Sequence, residues 1–335
     1  MKAYVAIGDT AKRAQFFTED VKSYVESIAD IQWGAGDGVT TEEVVRDIDP
    51  DTDIYVTLWG SPRLDKEILE VAPNIKLLVH LAGTVVPFSS DAMWDKGIRA
   101  ISGNNHFAES VAEGCIAYMM SALRGIPYFC TNMKENKKWK TFEETTGGLL
   151  NRTVGIVSLG TISKYLIEML QPFGCKIKIY SRKPLDEKYT SRGMEQASLE
   201  EIFSTCDIIS IHTAYNEHTR HMIGADLFKL IRPGALLLNT SRGAIFDEAA
   251  LIEELKDGRF TAFLDVFEKE PPAEDNLLYT LPNVLMMPHM GGPTTDRYPH
   301  IVRDLFTEAR DYVEKGKREL KFEITQEASR SMTKG

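Results

Sequence analysis

Arg242, Asp265, Glu270 and His289 are side chains able to do proton or anion chemistry. Each stands at or just after a short apolar run: ALLLN at 235–239, TAFLDV at 261–266 and VLMM at 284–287. A guanidinium can pair with a carboxylate through two parallel hydrogen bonds. An imidazole can give or take a proton near neutral pH, and a carboxylate on its other nitrogen can fix its tautomer. The set could bind a small anionic substrate, orient a base and move a proton. Asp265 is read as a buttress of the loop or a group facing a cofactor. Asn239 and Ser241 are strand-end residues within reach of cofactor or backbone.

The three runs have the length and composition of buried parallel strands, at Ala235–Asn239, Thr261–Val266 and Val284–Met287. Similar runs recur upstream at Val154–Ser158, Lys176–Tyr180 and Asp207–His212. Six strands at this rhythm predict a doubly wound dinucleotide-binding domain, whose ligands gather beyond the carboxyl ends of the strands. Residues 1–108 alternate shorter elements: strands at Ala3–Gly8, Asp53–Leu58, Lys76–Leu81 and Arg99–Ser102, with helices near Gln15–Ile28, Glu42–Asp47, Leu64–Val71 and Ser90–Lys96. They predict a flavodoxin-like βα domain. ESVAEGCIAYMMSALRGIPY (109–128) reads as a long apolar helix. After Gly292 an amphipathic helix is expected, then a short strand KFEIT and a frayed polar tail QEASRSMTKG.

NTSRGAIFDEAAL, DVFEKEP and NVLMMPHMGG resemble, in order and spacing, the signature segments of the D-isomer-specific 2-hydroxyacid dehydrogenases. The pattern is nearest to their glyoxylate and hydroxypyruvate reductases. The resemblance implies an α/β chain with two Rossmann-like domains. The doubly wound dinucleotide-binding domain, 109–293, would be inserted in a flavodoxin-like substrate domain formed by 1–108 and a returning helix and strand at 294–335. It also implies an NAD(P)-dependent oxidoreductase that interconverts a small 2-keto acid and the D-2-hydroxy acid. Arg242 would hold the substrate carboxylate and carbonyl, His289 would be the general acid and base, and Glu270 would orient it. The turn Ala82, Gly83, Thr84 would hold the carboxylate on backbone amides. The family's usual Asp just beyond is missing, with Val85 and Val86 in its place. Trp59 lies in a loop that in relatives borders the substrate, although a Trp after an apolar strand is ordinarily core.

The cofactor turn is irregular. After the strand ending at Val157 stands SLGTIS: Ser158, Leu159, Gly160, Thr161, Ile162, Ser163. Of a G-x-G-x-x-G fingerprint only the middle glycine, Gly160, remains, which lets the backbone approach a pyrophosphate at a helix N-terminus. At the end of the next strand, where NAD-preferring sites carry an acid, stand Ser181, Arg182 and Lys183. A 2′-phosphate would gain charge-assisted bonds from them, so NADP(H) is favoured over NAD(H), which stays possible. The resemblance adds His212, Thr213, Ala214 and Thr219 to the cofactor-facing set, with Thr240, Ser241, Arg242, Asp265, His289 and Gly291 at the later strand ends. His212, His218 and His221 lack a Cys or acid at metal-ligand spacing, so no metal is expected.

Composition sets outer bounds. A net charge of −10 without a long basic run argues against a nucleic-acid partner. No apolar run is long enough to span a membrane, nor does the start read as a signal peptide. Cys115, Cys130, Cys175 and Cys206, without CxxC spacing, read as reduced thiols of a cytoplasmic protein. The apolar helix, with family habit, suggests a homodimer. A dinucleotide-sensing, corepressor-like binding protein of the same fold and a dehydrogenase of another small oxyanion, such as phosphite, remain as rival readings.

Overall fold

A computed structural model of the chain describes residues 1–36, 38–330 and 332. By their internal contacts they form two compact units, Met1–Phe107 with the chain from Pro293 onward, and Ala108–Gly292.

The first unit is built on a parallel five-stranded sheet: β1 (Lys2–Val5), β2 (Asp30–Trp33), β3 (Ile54–Thr57), β4 (Leu77–His80) and β5 (Arg99–Ser102). The spatial order β2-β1-β3-β4-β5 is the flavodoxin-like one. β3 and β4 are wholly buried, as their mostly apolar sequences IYVT and LLVH favour, and the two polar ends, Thr57 and His80, bond each other at 3.0 Å. The edge strand β2, sequence DIQW, is only partly buried and carries no such run. The helix expected at 15–28 is instead two, Thr10–Phe16 and Glu19–Ile28. They part at Phe17, which is buried edge-on against Trp33 and Phe306.

The closing helix, Tyr298–Lys315, lays Ile301, Val302, Leu305, Phe306 and Ala309 into the core of this first unit. That is one apolar face at helical spacing. KFEIT does not form the expected strand. It makes a single antiparallel bridge, Ile101 to Glu323, with the Glu323 carboxylate held by both arms of Arg99 at 2.6 Å. Pairing stops because Thr325, bonded through its hydroxyl to the Ala328 amide, starts a new turn of helix. The tail is therefore ordered further than expected: Gln326–Arg330 is helical and Ser329 is buried. Ser331 and Thr333–Gly335 of that tail lie outside the described residues.

The second unit holds a parallel seven-stranded sheet: β6 (Thr153–Val157), β7 (Lys176–Tyr180), β8 (Glu195–Gln196), β9 (Ile208–Ile211), β10 (Leu236–Asn239), β11 (Thr261–Leu264) and β12 (Val284–Met286). The order β12-β11-β10-β9-β6-β7-β8 is that of a doubly wound sheet, with winding reversed between β6 and β9. The two-residue β8 is the edge strand that sequence reading did not find. The apolar helix runs over Asn104–Leu123, earlier than the expected 109–128. It stops because Gly125 turns left-handed (φ 61°) and Pro127 opens a separate helix, Ile126–Lys134.

Candidate active site

The arginine turn is shaped by one buried side chain. Asn239, fully buried at the end of β10, accepts from the Ser241 amide (3.0 Å) and hydroxyl (2.8 Å). Its own amide nitrogen donates to the Arg242 carbonyl (3.1 Å). Arg242 emerges half-buried, donating to the Ser241 carbonyl at 2.7 Å. Burial lowers its pKa from the ordinary value, while the Glu270 charge acts to raise it. Among the described residues this guanidinium makes no ion pair. The next residue, Gly243, packs directly on another loop: a Cβ there would stand 1.8 Å from the Phe267 carbonyl carbon. No other residue fits, and that contact seats the arginine turn on the loop bearing Glu270.

Glu270 divides its carboxylate between two tasks. One oxygen accepts from the Phe267 amide (3.1 Å), which fixes the loop; the other lies 2.7 Å from His289 Nδ1. That leaves Nε2 as the ring nitrogen for proton exchange. His289 follows β12 with φ 55°, a left-handed backbone unusual for a residue with a Cβ. Its amide donates to the carbonyls of Asp265 (2.9 Å) and Met287 (3.0 Å). Asp265, 1% exposed, accepts from the amides of Met290 and Gly291, each at 2.8 Å. Burial raises the Asp265 pKa; those two amides and the His289 charge oppose the shift. A Cβ at Gly291 would sit 2.7 Å from the Asp265 carboxylate. Asp265 thus braces the loop that presents His289, and Arg242, Asp265, Glu270 and His289 act on one another at one end of the sheet.

The turn after β6 departs from glycine where the backbone is most demanding. Ser158 has φ 82°, and its amide donates to Tyr180 of β7 (2.9 Å). Gly160 precedes the helix Thr161–Leu170, and no side chain caps that helix. Around the missing Cβ of Gly160 there is open space, as close approach of a ligand requires. Ser163, in the first turn, is fully buried and donates through Oγ to the Ser158 carbonyl (2.6 Å). Beyond β7, Ser181 accepts from the Lys183 amide (3.3 Å) and Gln196 of β8 donates to the Ser181 carbonyl (3.0 Å). Arg182 and Lys183 are exposed and, among the described residues, unpaired with any carboxylate.

Beyond β9, His212 is buried, with Nε2 2.8 Å from the Ser210 hydroxyl; burial pushes its pKa down to about 4. The Thr213 hydroxyl reaches the Val157 carbonyl (3.5 Å). Thr219 is committed to its own turn: its hydroxyl donates to the Ala214 carbonyl and accepts from the Asn216 amide, both at 2.8 Å. His221 pairs with Glu268 at 2.7 Å. Thr240 is buried, its hydroxyl 3.3 Å from the Cys115 sulfur.

In the first unit, Ala82-Gly83-Thr84 follows β4, and the Ser102 hydroxyl donates to the Gly83 carbonyl (3.0 Å). Val85 is fully buried. Trp59 is 43% exposed, edge-on to Phe16 and Phe107, so it is a surface residue resting on the core.

Comparison with known proteins decides the family. Residues 116–291 match the family model described as the NAD-binding domain of D-isomer-specific 2-hydroxyacid dehydrogenases. The chain belongs to the D-isomer-specific 2-hydroxyacid dehydrogenases. Among its relatives is a glyoxylate reductase of Thermococcus litoralis, 34% identical over 75% of this chain and 76% of that protein. Another is a D-3-phosphoglycerate dehydrogenase of Methanocaldococcus jannaschii, 31% identical over 83% of this chain; this chain spans only 52% of it. The fold is shared with a solved D-2-hydroxyisocaproate dehydrogenase at a TM-score of 0.78 and 23% identity, covering 97% of this chain and all of the other.

As a 2-hydroxyacid dehydrogenase the protein is an oxidoreductase of the nicotinamide dinucleotide class. The residues present fit such a cofactor: a helix N-terminus without a side-chain cap, open space at Gly160 and two cations that make no ion pair among the described residues. Sequence reading missed Asn239 as the shaper of the arginine turn and Gly243 as its seat. An Asn at a strand end followed by Thr-Ser-Arg-Gly was the available signal, since Asn bonds its own backbone two residues on.

Proposed function

We propose that this dehydrogenase reduces a small 2-keto acid, of glyoxylate or hydroxypyruvate size, to the D-2-hydroxy acid, using NADP(H) in preference to NAD(H). The observation that carries the reading is the His289–Glu270 pair beside a half-buried Arg242 that, among the described residues, makes no ion pair. A half-buried guanidinium without a carboxylate suits an anionic substrate, and its planar fork suits a 2-keto acid. Arg242 binds the carboxylate and polarises the 2-keto oxygen. His289 gives its Nε2 proton to that oxygen as charge develops, and recovers one in the reverse direction. Glu270 holds the ring through Nδ1 and stabilises its charged form. The cofactor, when bound, supplies the hydride.

For the cofactor we assign the pyrophosphate to Ser158–Ile162 and the 2′-phosphate to Ser181, Arg182 and Lys183. Thr213, Ala214, Thr240, Ser241 and Gly291 are the further cofactor-facing positions. The turn at Ala82–Thr84 is read as a carboxylate-holding element of the first unit. We further propose a homodimer. The segment from Ile126 to Phe142 exposes Ile126, Tyr128, Met133, Trp139 and Phe142, the last completely. So large an apolar display on one arm suits a second copy of the chain.

The test is loss of absorbance at the reduced-nicotinamide band, with NADPH and NADH in parallel. The panel is glyoxylate, hydroxypyruvate, larger 2-keto acids and a phosphorylated hydroxypyruvate, with phosphite tested in the oxidative direction. NADPH oxidation with the two smallest acids is expected. Turnover only with the phosphorylated acid, or only with phosphite, would replace the substrate. Dinucleotide binding without any turnover would favour the sensor.

A further inference from the structure

The two serines of the cofactor turn form one coupled device. Position 158 demands a left-handed backbone (φ 82°), which glycine enters freely and serine enters at a cost. Position 163 lies in the first turn of the following helix, fully buried, where a glycine or alanine would have nothing to donate. The Ser163 hydroxyl donates to the Ser158 carbonyl at 2.6 Å. A trans peptide points its C=O and N–H to opposite sides. Fixing the Ser158 carbonyl toward the helix therefore fixes the Leu159 amide away from it. The same bond keeps a carbonyl oxygen, which would repel a phosphate, turned from the open space at Gly160.

We propose that Ser163 is a positioning residue for the dinucleotide pyrophosphate. Its hydroxyl holds the strained Ser158 peptide in the binding orientation, doing through a side-chain bond what glycine at 158 would do by lacking a Cβ. The inference rests on reading Ser158–Ile162 as the pyrophosphate turn. It makes no distinction between NADPH and NADH, which share that group.

The experiment is a double-mutant cycle on the full-length chain, Ser163→Ala, Ser158→Gly and both together. Affinity for NADPH and for NADH is read by calorimetry, and kcat at saturating cofactor is measured alongside. Ser163→Ala should weaken both cofactors alike, on the order of tenfold, a loss larger than any in kcat at saturating cofactor. Ser158→Gly should bind within about threefold of the parent, and the double variant should recover most of the loss, a non-additivity that independent sites would not show. Undiminished binding by Ser163→Ala, or no rescue by Ser158→Gly, overturns the proposal. If Ser163→Ala does not fold, the double variant decides: binding near the parent supports the coupling, and weak binding by a folded double variant refutes it. A parent chain that binds neither cofactor overturns the turn assignment itself, and this proposal with it.

Discussion

Two histidines leave the same end of the same sheet and meet opposite surroundings. His212, after β9, is 7% exposed, shares a hydrogen bond with Ser210 and is held neutral by burial. His289, after β12, has a side chain 48% exposed, bonds a carboxylate and stands on a left-handed backbone braced by Asp265. The strand end supplies a place for chemistry, and it supplies that place twice. What separates the two rings is the carboxylate on Nδ1 of His289 and its access to water, the two features that proton transfer requires. The neighbouring charges follow the same division. The Glu270 charge acts on Arg242, while no charged group shifts His212.

The comparison breaks severely if Arg242 is removed. Arg242→Gln should lower kcat/KM for the keto acid by about 10²–10³-fold, with cofactor affinity changed far less. Steady-state kinetics with direct cofactor titration check this, and a loss confined to cofactor binding would reassign the guanidinium. Gly243→Ala should act next most strongly, though it touches no substrate. Its Cβ cannot coexist with the Phe267 backbone, so the arginine turn must part from the Glu270 loop. A stability loss of about 1–3 kcal/mol and an activity loss above about tenfold are expected. Chemical denaturation and kcat on the folded variant measure the two.

The smallest effect belongs to the buried histidine. His212→Asn should leave kcat within about threefold, but should flatten the acid side of the stability curve. The folded chain holds the His212 ring neutral down to about 4, whereas an unfolded chain protonates it near the free value of 6.5. Unfolding therefore takes up a proton between those values. The contribution is fully present above about pH 6.5 and is lost as pH falls toward 4. His80, fully buried against Thr57 and Phe88 and pushed down to about 3, extends the same slope lower. Melting followed from pH 7 to pH 4 should be steeper for the parent than for His212→Asn; parallel curves would show that burial does not govern this ring.

Which parts of this were legible in the sequence follows from burial. β3, β4 and β9–β11 are mostly apolar runs with one polar residue each, because parallel strands covered on both faces favour them. β2 and β8 sit at sheet edges with DIQW and EQ, and edges impose no such pattern. The apolar helix stops short of the expected 128 because Gly125 and Pro127 break it. Of the site, Arg242, Glu270 and His289 were named from residue type and strand-end position. The role of Gly243 depends on a loop brought near by folding, while Asn239 and Ser163 bond backbone two to five residues away in a geometry that residue type alone does not fix. Ser158 and Ser163 read in sequence as two defects, and only the bond between them shows a pair.

The most direct test of the site is His289→Gln, measured for kcat with the best keto acid and for NADPH affinity by calorimetry. Glutamine keeps a polar side chain of similar reach but cannot donate a proton to an alkoxide. A fall in kcat of about 10²–10⁴-fold, with NADPH bound within about threefold of the parent, is the expected result. Turnover unchanged from the parent would contradict it and remove His289 from the chemistry.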